Sequence, residues 1–114
     1  MIIAEFSKNK NGFHVLIEGH AGYSEAGKDI VCAATSGIVY ALCGYLLNFK
    51  KESFKINSIE TGRLDIECLT DCEDYLQLAC LGICQIALEY PENVSVNIDA
   101  WNWKFISDHC RHTA

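Results

Sequence analysis

The feature that most constrains the fold is an apolar stretch without a single charge, residues 30–49, with the sequence IVCAATSGIVYALCGYLLNF. Its length matches that of a membrane-spanning helix, which is one interpretation. The flanking segments alternate between apolar and polar residues as the strands of a half-buried sheet do, and such strands need an apolar helix to cover them. We therefore interpret this stretch as a buried helix in a layered domain, with Asp29 as its N-cap.

The alternating segments predict two β-hairpins. Four runs alternate in this way: 2–7, 13–18, 54–60 and 63–69. The first two runs are joined through Asn11-Gly12 and the last two through Thr61-Gly62. Both pairs are typical of tight turns, in which glycine and asparagine supply the positive φ angles.

A second helix and a fifth strand complete the predicted fold. The segment 72–90 has one polar and one apolar side, with Asp71 as the expected N-cap and Pro91 directly after it. Residues 94–98 alternate again. The order ββαββαβ predicts an α+β fold with a mostly antiparallel sheet and two helices, the first buried and the second outside. The length suits a single domain over 1–114, with a tail at 99–114 whose role the pattern does not assign.

Charge and cysteine content narrow the choice of partners and location. The formal net charge is −6, and an acidic domain is a poor general binder of nucleic acid because such binding depends on neutralising phosphates. A basic partner is favoured instead, since opposite charge steers association. The cysteines number seven, which is odd, and no signal peptide is expected. We therefore expect a reducing, cytoplasmic location without a disulfide framework.

The segment 19–36, GHAGYSEAGKDIVCAATS, carries the residues that point to chemistry. Cys32 falls in the first turn of the apolar helix, where free N–H groups and the helix dipole favour a thiolate and can stabilise an oxyanion. His20 ends the preceding strand, and the loop 21–28 can fold back to bring its imidazole to the thiol as a general base. The spacing alone leaves open that Cys32 is core packing and His20 a solvated strand end.

GHAG followed by GKDIVCAATS at this spacing resembles the signature of the ribosomal-processing cysteine proteases, a family of small bacterial enzymes. The resemblance extends over roughly residues 1–98. It implies that His20 is the base and Cys32 the nucleophile of a dyad that forms an acyl-enzyme. It also implies a ribosomal protein precursor as substrate, the N-terminal extension of large-subunit ribosomal protein twenty-seven being removed, and a homodimer. That substrate is basic, which suits an acidic enzyme.

The resemblance also assigns auxiliary residues. Asp29 matches the aspartate before the cysteine, and it is expected either to orient His20 or only to cap the helix. Ser36 lies one turn after Cys32, where it can contact the site or hydrogen-bond back to the Cys32 carbonyl. The loop between the motif residues is expected to arch over the site as a substrate loop. Its expected members are Gly22, Tyr23 and Gly27.

Two alternatives to a peptidase stay open. One is a ribosome-associated binding or assembly factor that has the same fold and performs no proteolysis. The other is a zinc-stabilised domain, because Cys80 and Cys84 are spaced i, i+4, Cys68 and Cys72 precede them, and histidines flank Cys110. Structural zinc sites usually use tighter knuckles in turns. We therefore predict no metal, and we expect no other cofactor. The acidic charge and the interpretation of the apolar stretch as a buried helix also predict no direct contact with nucleic acid and no membrane association.

Overall fold

The computed structural model describes residues 1–25 and 27–99, and the tail from residue 100 onward, whose role the sequence left open, lies outside them. The strands are β1 (Ile2–Asn9), β2 (Gly12–Glu18), β3 (Phe54–Glu60), β4 (Arg63–Leu69) and β5 (Val94–Asp99). The helices are α1 (Ile30–Phe49) and α2 (Glu73–Glu89), and a short 3-10 helix, Thr70–Cys72, precedes α2. This order confirms the predicted ββαββαβ arrangement.

The strands form one mixed sheet in the order β3-β4-β2-β1-β5. The two hairpins pair antiparallel, and β2 also pairs antiparallel with β4. Only the pair β1–β5 is parallel, because α2 carries the chain from β4 back across the sheet before β5 begins. A parallel pair requires such a crossover.

The core lies between one face of the sheet and the two helices. Buried and exposed side chains alternate along β1 and β4, so the buried ones share a face. They form a single cluster with the inner sides of α1 and α2. Phe6, Phe13, Leu46, Ile66, Leu76 and Ile83 are the largest fully buried side chains. Each contributes about 1.5–3 kcal/mol relative to exposure.

The prediction that α1 is buried and α2 lies outside needs correction. The apolar window of α1 has a mean hydropathy of 1.9 but is only 28% buried, so by length and composition this helix passes the test for a membrane span. Its side toward α2 and the sheet is buried at Val31, Leu42 and Leu46, whereas Tyr40 on the opposite side is 72% exposed. In a two-layer fold a helix has one side to bury, and an all-round apolar sequence therefore leaves an apolar face uncovered.

The first hairpin turn differs from its prediction. Asn9 pairs with Gly12, so the turn consists of Lys10 and Asn11, and Gly12 opens β2 without a positive φ. Glycine is required there for another reason, since a Cβ atom would overlap the carbonyl oxygen of Cys68 on the neighbouring strand. Gly12 thus permits a close approach of two backbones.

Of the two predicted helix caps, the one at Asp29 is confirmed and the one at Asp71 is wrong. Asp29 caps α1 as predicted, with its carboxylate accepting the N–H of Cys32 at 2.9 Å. Asp71 was wrongly predicted to cap α2, because a 3-10 turn intervenes and Cys72 occupies the cap position without a side-chain hydrogen bond. The Asp71 carboxylate instead accepts from the Ser53 hydroxyl at 2.7 Å and from Lys50 Nζ at 3.3 Å. It therefore fastens the α1–β3 connection.

Candidate active site

His20 and Cys32 lie at the same place in the fold. His20 follows the end of β2, and Cys32 lies in the first turn of α1. Both side chains line two neighbouring clefts of about 380 and 520 Å³, and Ser36 lines both as well. The sequence separates these residues by a loop, and the fold brings them together.

The sulfur of Cys32 faces a backbone donor. Its Sγ accepts the N–H of Ala21, the residue after His20, at 3.4 Å. Within the described residues no hydrogen bond joins the imidazole of His20 to this thiol. Catalytic hydrogen bonds are often long before substrate binds.

The Asp29 carboxylate holds both the helix and the loop. One oxygen accepts the N–H of Cys32, and the other accepts the N–H groups of Tyr23 at 2.9 Å and Ser24 at 3.3 Å. The N–H of Cys32, followed by those of Ser24 and Tyr23, holds the pKa of Asp29 below its ordinary value against the opposing effect of desolvation. Asp29 makes no hydrogen bond to His20 among the described residues.

Backbone N–H groups near Cys32 can stabilise an oxyanion only if they do not already donate to another group. The N–H of Cys32 is bonded to the Asp29 side chain, and the N–H of Ala33 donates to the Asp29 carbonyl at 3.0 Å. Both are first-turn groups that the sequence offered as oxyanion donors. The N–H of Ala21, which the sequence did not single out, is the backbone donor that points at the sulfur of Cys32.

Ser36 does not follow the local alternative considered for it. The hydroxyl that bonds back to a carbonyl one turn earlier belongs to the neighbouring Thr35, whose Oγ1 donates to the carbonyl of Val31 at 2.9 Å. Ser36 is half-buried and lines both clefts. Its position is therefore compatible with contact to a bound substrate.

The turn between β3 and β4 packs against His20, which the sequence did not reveal. The N–H of Gly19 donates to the carbonyl of Gly62 at 2.9 Å. Gly62 has a φ of +76°, and a Cβ atom there would lie 2.8 Å from Nε2 of His20. Glycine at this position thus satisfies both the turn and the imidazole. The only sequence signal was the Thr61-Gly62 turn itself.

The other described free thiols are buried. Burial raises the pKa of Cys68 and of Cys80 to about 12, and it also raises the pKa of Cys43 and of Cys72. Such thiols stay protonated at neutral pH. Over residues 1–25 and 27–99 no group of three or more His, Cys, Asp or Glu side chains has the geometry to hold a metal ion. The predicted cluster around Cys110 lies outside those residues.

Comparison with known proteins identifies the family. The family model for the cysteine protease Prp matches residues 1–95. The chain belongs to the cysteine protease Prp family. The ribosomal processing cysteine protease Prp of Staphylococcus aureus strain Mu50 is 26% identical over 110 residues, which cover 85% of this chain and 98% of that protein. The chain is thus a hydrolase of the cysteine protease class.

Two crystal structures of an essential Prp from S. aureus resemble this one. The structure with a covalently linked product peptide has a TM-score of 0.74 and 27% identity, and the comparison covers 86% of this chain and 99% of the other. The structure with a substrate peptide has a TM-score of 0.70 and 26% identity with the same coverage. These similarities support the peptidase assignment.

Replacing Asp29 with asparagine is expected to separate its two roles, which are capping α1 and holding the loop amides. Asparagine is a good N-cap, but it has one acceptor oxygen and therefore cannot hold the helix and the loop amides of Tyr23 and Ser24 together. We expect roughly ten-fold lower kcat/KM in a peptide-cleavage assay, because the loop is misplaced relative to His20 and Cys32. Asp29→Ala, which removes both acceptors, is the comparison, and wild-type activity in both variants would contradict this expectation.

The same substitution should change how the free energy of unfolding depends on pH under acidic conditions. Because the pKa of Asp29 is lower in the folded protein than its ordinary value of 3.8, its stabilising effect is present above that value and is lost as the pH falls through the folded value. Urea unfolding between pH 5 and pH 2 should therefore show a weaker pH dependence in Asp29→Asn than in wild type.

Proposed function

We propose that this protease removes the N-terminal extension from the precursor of large-subunit ribosomal protein twenty-seven, with Cys32 as nucleophile and His20 as general base. The observation that carries the proposal is the shared cleft, in which Cys32 Sγ at the start of α1 accepts a backbone N–H from the residue after His20. The chain's similarity to a ribosomal processing protease of S. aureus supports this substrate class.

In this proposal His20 takes the proton from the Cys32 thiol, and the thiolate attacks the carbonyl carbon of the scissile peptide bond. His20 then gives the proton to the departing amine, which leaves the new N-terminus of the mature ribosomal protein. The acyl group stays on the sulfur as a thioester. Water, deprotonated by His20, attacks this thioester and releases the extension while the thiol is restored.

The surroundings of the dyad suit a peptide substrate. The cleft of about 380 Å³ has an apolar floor that includes Ile2, Ile17 and Leu64, so it can accept an apolar side chain. The neighbouring cleft is lined by Gly22 and Gly27 of the loop, and in this proposal the loop, with Tyr23, closes over the extended peptide. The net charge of −6 favours encounter with a basic ribosomal protein.

Incubation with the ribosomal precursor tests this proposal. We expect mass spectrometry to show the shortened protein and the released extension, together with a transient covalent adduct on the tryptic peptide that contains Cys32. A scrambled extension fused to the same ribosomal protein is the matched control. Binding of the intact precursor without shortening would contradict the proposal and favour the non-proteolytic assembly factor.

We also propose that the uncovered face of α1 is a contact between two copies of this chain. The face contains Tyr40 and Leu47, which are 72% and 48% exposed, and the small residues Ala33 and Gly37 beside them allow close approach of a second helix. The helix has no charged residue, so pairing two copies buries no unpaired charge. Tyr40 also lines the cleft that contains His20 and Cys32, so in this proposal the dimer contact lies beside the catalytic residues.

Leu47→Arg is expected to convert the dimer to a monomer, because each copy then carries an unpaired charge into the apolar contact. Size-exclusion chromatography with light scattering measures the change. Leu78→Arg is the matched control, since Leu78 is also an exposed leucine, at 72%, but lies on α2. Monomeric wild-type protein at tens of micromolar would refute the dimer.

A cytoplasmic location completes the proposed function. The proposed substrate is made in the same compartment. Fractionation of cells that express the full chain should recover it with cytoplasmic markers, and recovery with membranes would instead favour the interpretation of α1 as a membrane span.

A further inference from the structure

Ala21 is the buried member among the described residues of the loop 21–28. It is 2% exposed, whereas His20 before it and Gly22 after it are exposed. Both backbone polar groups of Ala21 are engaged. Its N–H donates to Cys32 Sγ at 3.4 Å, and its carbonyl accepts from the side-chain Nδ2 of Asn93 at 2.9 Å. Ala21 thus links the reactive sulfur to a side chain 72 positions away.

The backbone of Asn93 is held in place by hydrogen bonds that do not involve its side chain. It lies in the turn between α2 and β5, where its N–H donates to the carbonyl of Tyr90 at 3.0 Å and its carbonyl accepts the N–H of Ile2 at 2.9 Å. The Tyr90 ring also contacts Tyr23 of the loop edge-on, with 5.3 Å between ring centroids. These contacts hold the turn in place without the Asn93 side chain. That side chain extends from the turn to the Ala21 carbonyl.

The hydrogen bond from Asn93 controls where the Ala21 N–H points. A buried carbonyl requires a partner. Without Nδ2 of Asn93, the Ala21 carbonyl loses the protein donor that fixes its direction, and the Ala21 N–H is then free to turn away from Cys32 Sγ. The N–H groups of Cys32 and Ala33 cannot replace it, because Asp29 already occupies them.

We propose that Asn93 is a positioning residue of this peptidase: its side-chain amide fixes Ala21 so that the Ala21 N–H faces Cys32 Sγ and His20 stays in the shared cleft. This rests on the proposed function. Asn93 lines neither of the two clefts that contain the dyad, so it acts through Ala21 and not on the substrate. Its removal should lower the reactivity of Cys32 and the rate of the chemical step, with little effect on substrate binding.

The experiment compares Asn93→Ala and Asn93→Asp with Asn57→Ala in the full chain. Aspartate keeps the size of asparagine but, when ionised, has no N–H to donate. Asn57 is the matched control, because its Nδ2 is likewise a hydrogen-bond donor, but to the side chains of Asp65 at 3.2 Å and Glu67 at 2.9 Å on the outer face of the sheet. Thermal unfolding confirms that each variant is folded before it is assayed.

For both Asn93 variants we expect about ten-fold lower kcat with KM changed by less than about two-fold. Alkylation of Cys32 by iodoacetamide at neutral pH, followed over time by peptide mass spectrometry, is expected to be slower than in wild type by roughly three- to ten-fold. Asn57→Ala should match wild type in both measurements.

Other charges near the sulfur remain in place in these variants. From the loop, His20, Lys28 and Asp29 line the clefts with Cys32, and Glu60 and Arg63 do so from the second hairpin. Tyr40 and Cys43 belong to the same helix as Cys32. Asn93→Ala alters none of them and adds no charge, so slower alkylation in that variant reports the lost position of Ala21, whereas Asn93→Asp also introduces a carboxylate.

The measurements of kcat and of Cys32 alkylation test the role of Asn93 separately from the proposed function. Folded Asn93 variants with wild-type kcat and a wild-type alkylation curve would overturn the role of Asn93, and so would equal losses in Asn57→Ala. If wild-type protein cleaves no ribosomal precursor, the proposed function fails, whereas the alkylation curves still decide whether Asn93 positions Ala21 against the sulfur.

Discussion

Cys32→Ala is expected to abolish cleavage of the ribosomal precursor, with kcat/KM lower by at least about 10⁴-fold. The sulfur is the atom that becomes acylated in the proposed reaction, and no neighbouring side chain can take its place. Cys32→Ser should be nearly as inactive, because a hydroxyl is a far weaker nucleophile than a thiol in this setting. Mass spectrometry of the reaction products measures both effects.

The control for this substitution is another cysteine. Cys80→Ala removes a fully buried thiol from α2 that lines neither cleft with the dyad. It should lower the free energy of unfolding by about 1–2 kcal/mol through a small cavity and leave kcat/KM near the wild-type value. Full activity of Cys32→Ala, or equal loss in Cys80→Ala, would exclude Cys32 as the nucleophile.

His20→Ala is expected to lower kcat/KM by about 10²–10⁴-fold, the usual contribution of a general base that also activates a thiol. His20 is exposed, so thermal unfolding should change little. Alkylation of Cys32 at neutral pH should also slow, because the base that deprotonates the thiol is absent. A rate of alkylation equal to that of wild type would show that the imidazole does not act on Cys32.

His14→Ala provides the matched histidine control. His14 lies on β2, and its Nε2 is 2.6 Å from Asp65 Oδ1 on β4. This hydrogen bond is the main reason why the pKa of Asp65 is lowered. Removing His14 should affect the sheet but leave cleavage intact. The comparison thus distinguishes loss of a catalytic imidazole from loss of any imidazole.

Much of the fold was predictable because it follows from local patterns. The alternation of apolar residues predicted the strands, and Thr61-Gly62 predicted a turn in which Gly62 has the required positive φ. The cap at Asp29 was predictable for the same reason, since its carboxylate needs only the N–H groups of the next turn. Asp71 was mispredicted as a cap because its partners, Ser53 and Lys50, are distant in sequence.

The parts that the sequence could not predict are long-range contacts. The motif indicated His20 and Cys32, but the packing of Gly62 against His20 and the bond from Asn93 to Ala21 depend on how the hairpin and the α2–β5 turn meet the loop. The exposure of α1 was missed for a related reason. An apolar sequence shows that a surface avoids water, but not whether this chain or a second copy covers it.

The burial of the other thiols has a consequence for chemical probes. Of the five cysteines described as free, Cys32 alone is partly exposed, and the remaining ones are enclosed by the core. Among these, an electrophile applied to the folded protein at neutral pH therefore meets a single accessible target, and the adduct would occupy the cleft itself. A covalent inhibitor directed at the cleft would therefore meet no competing thiol among these five until the chain unfolds.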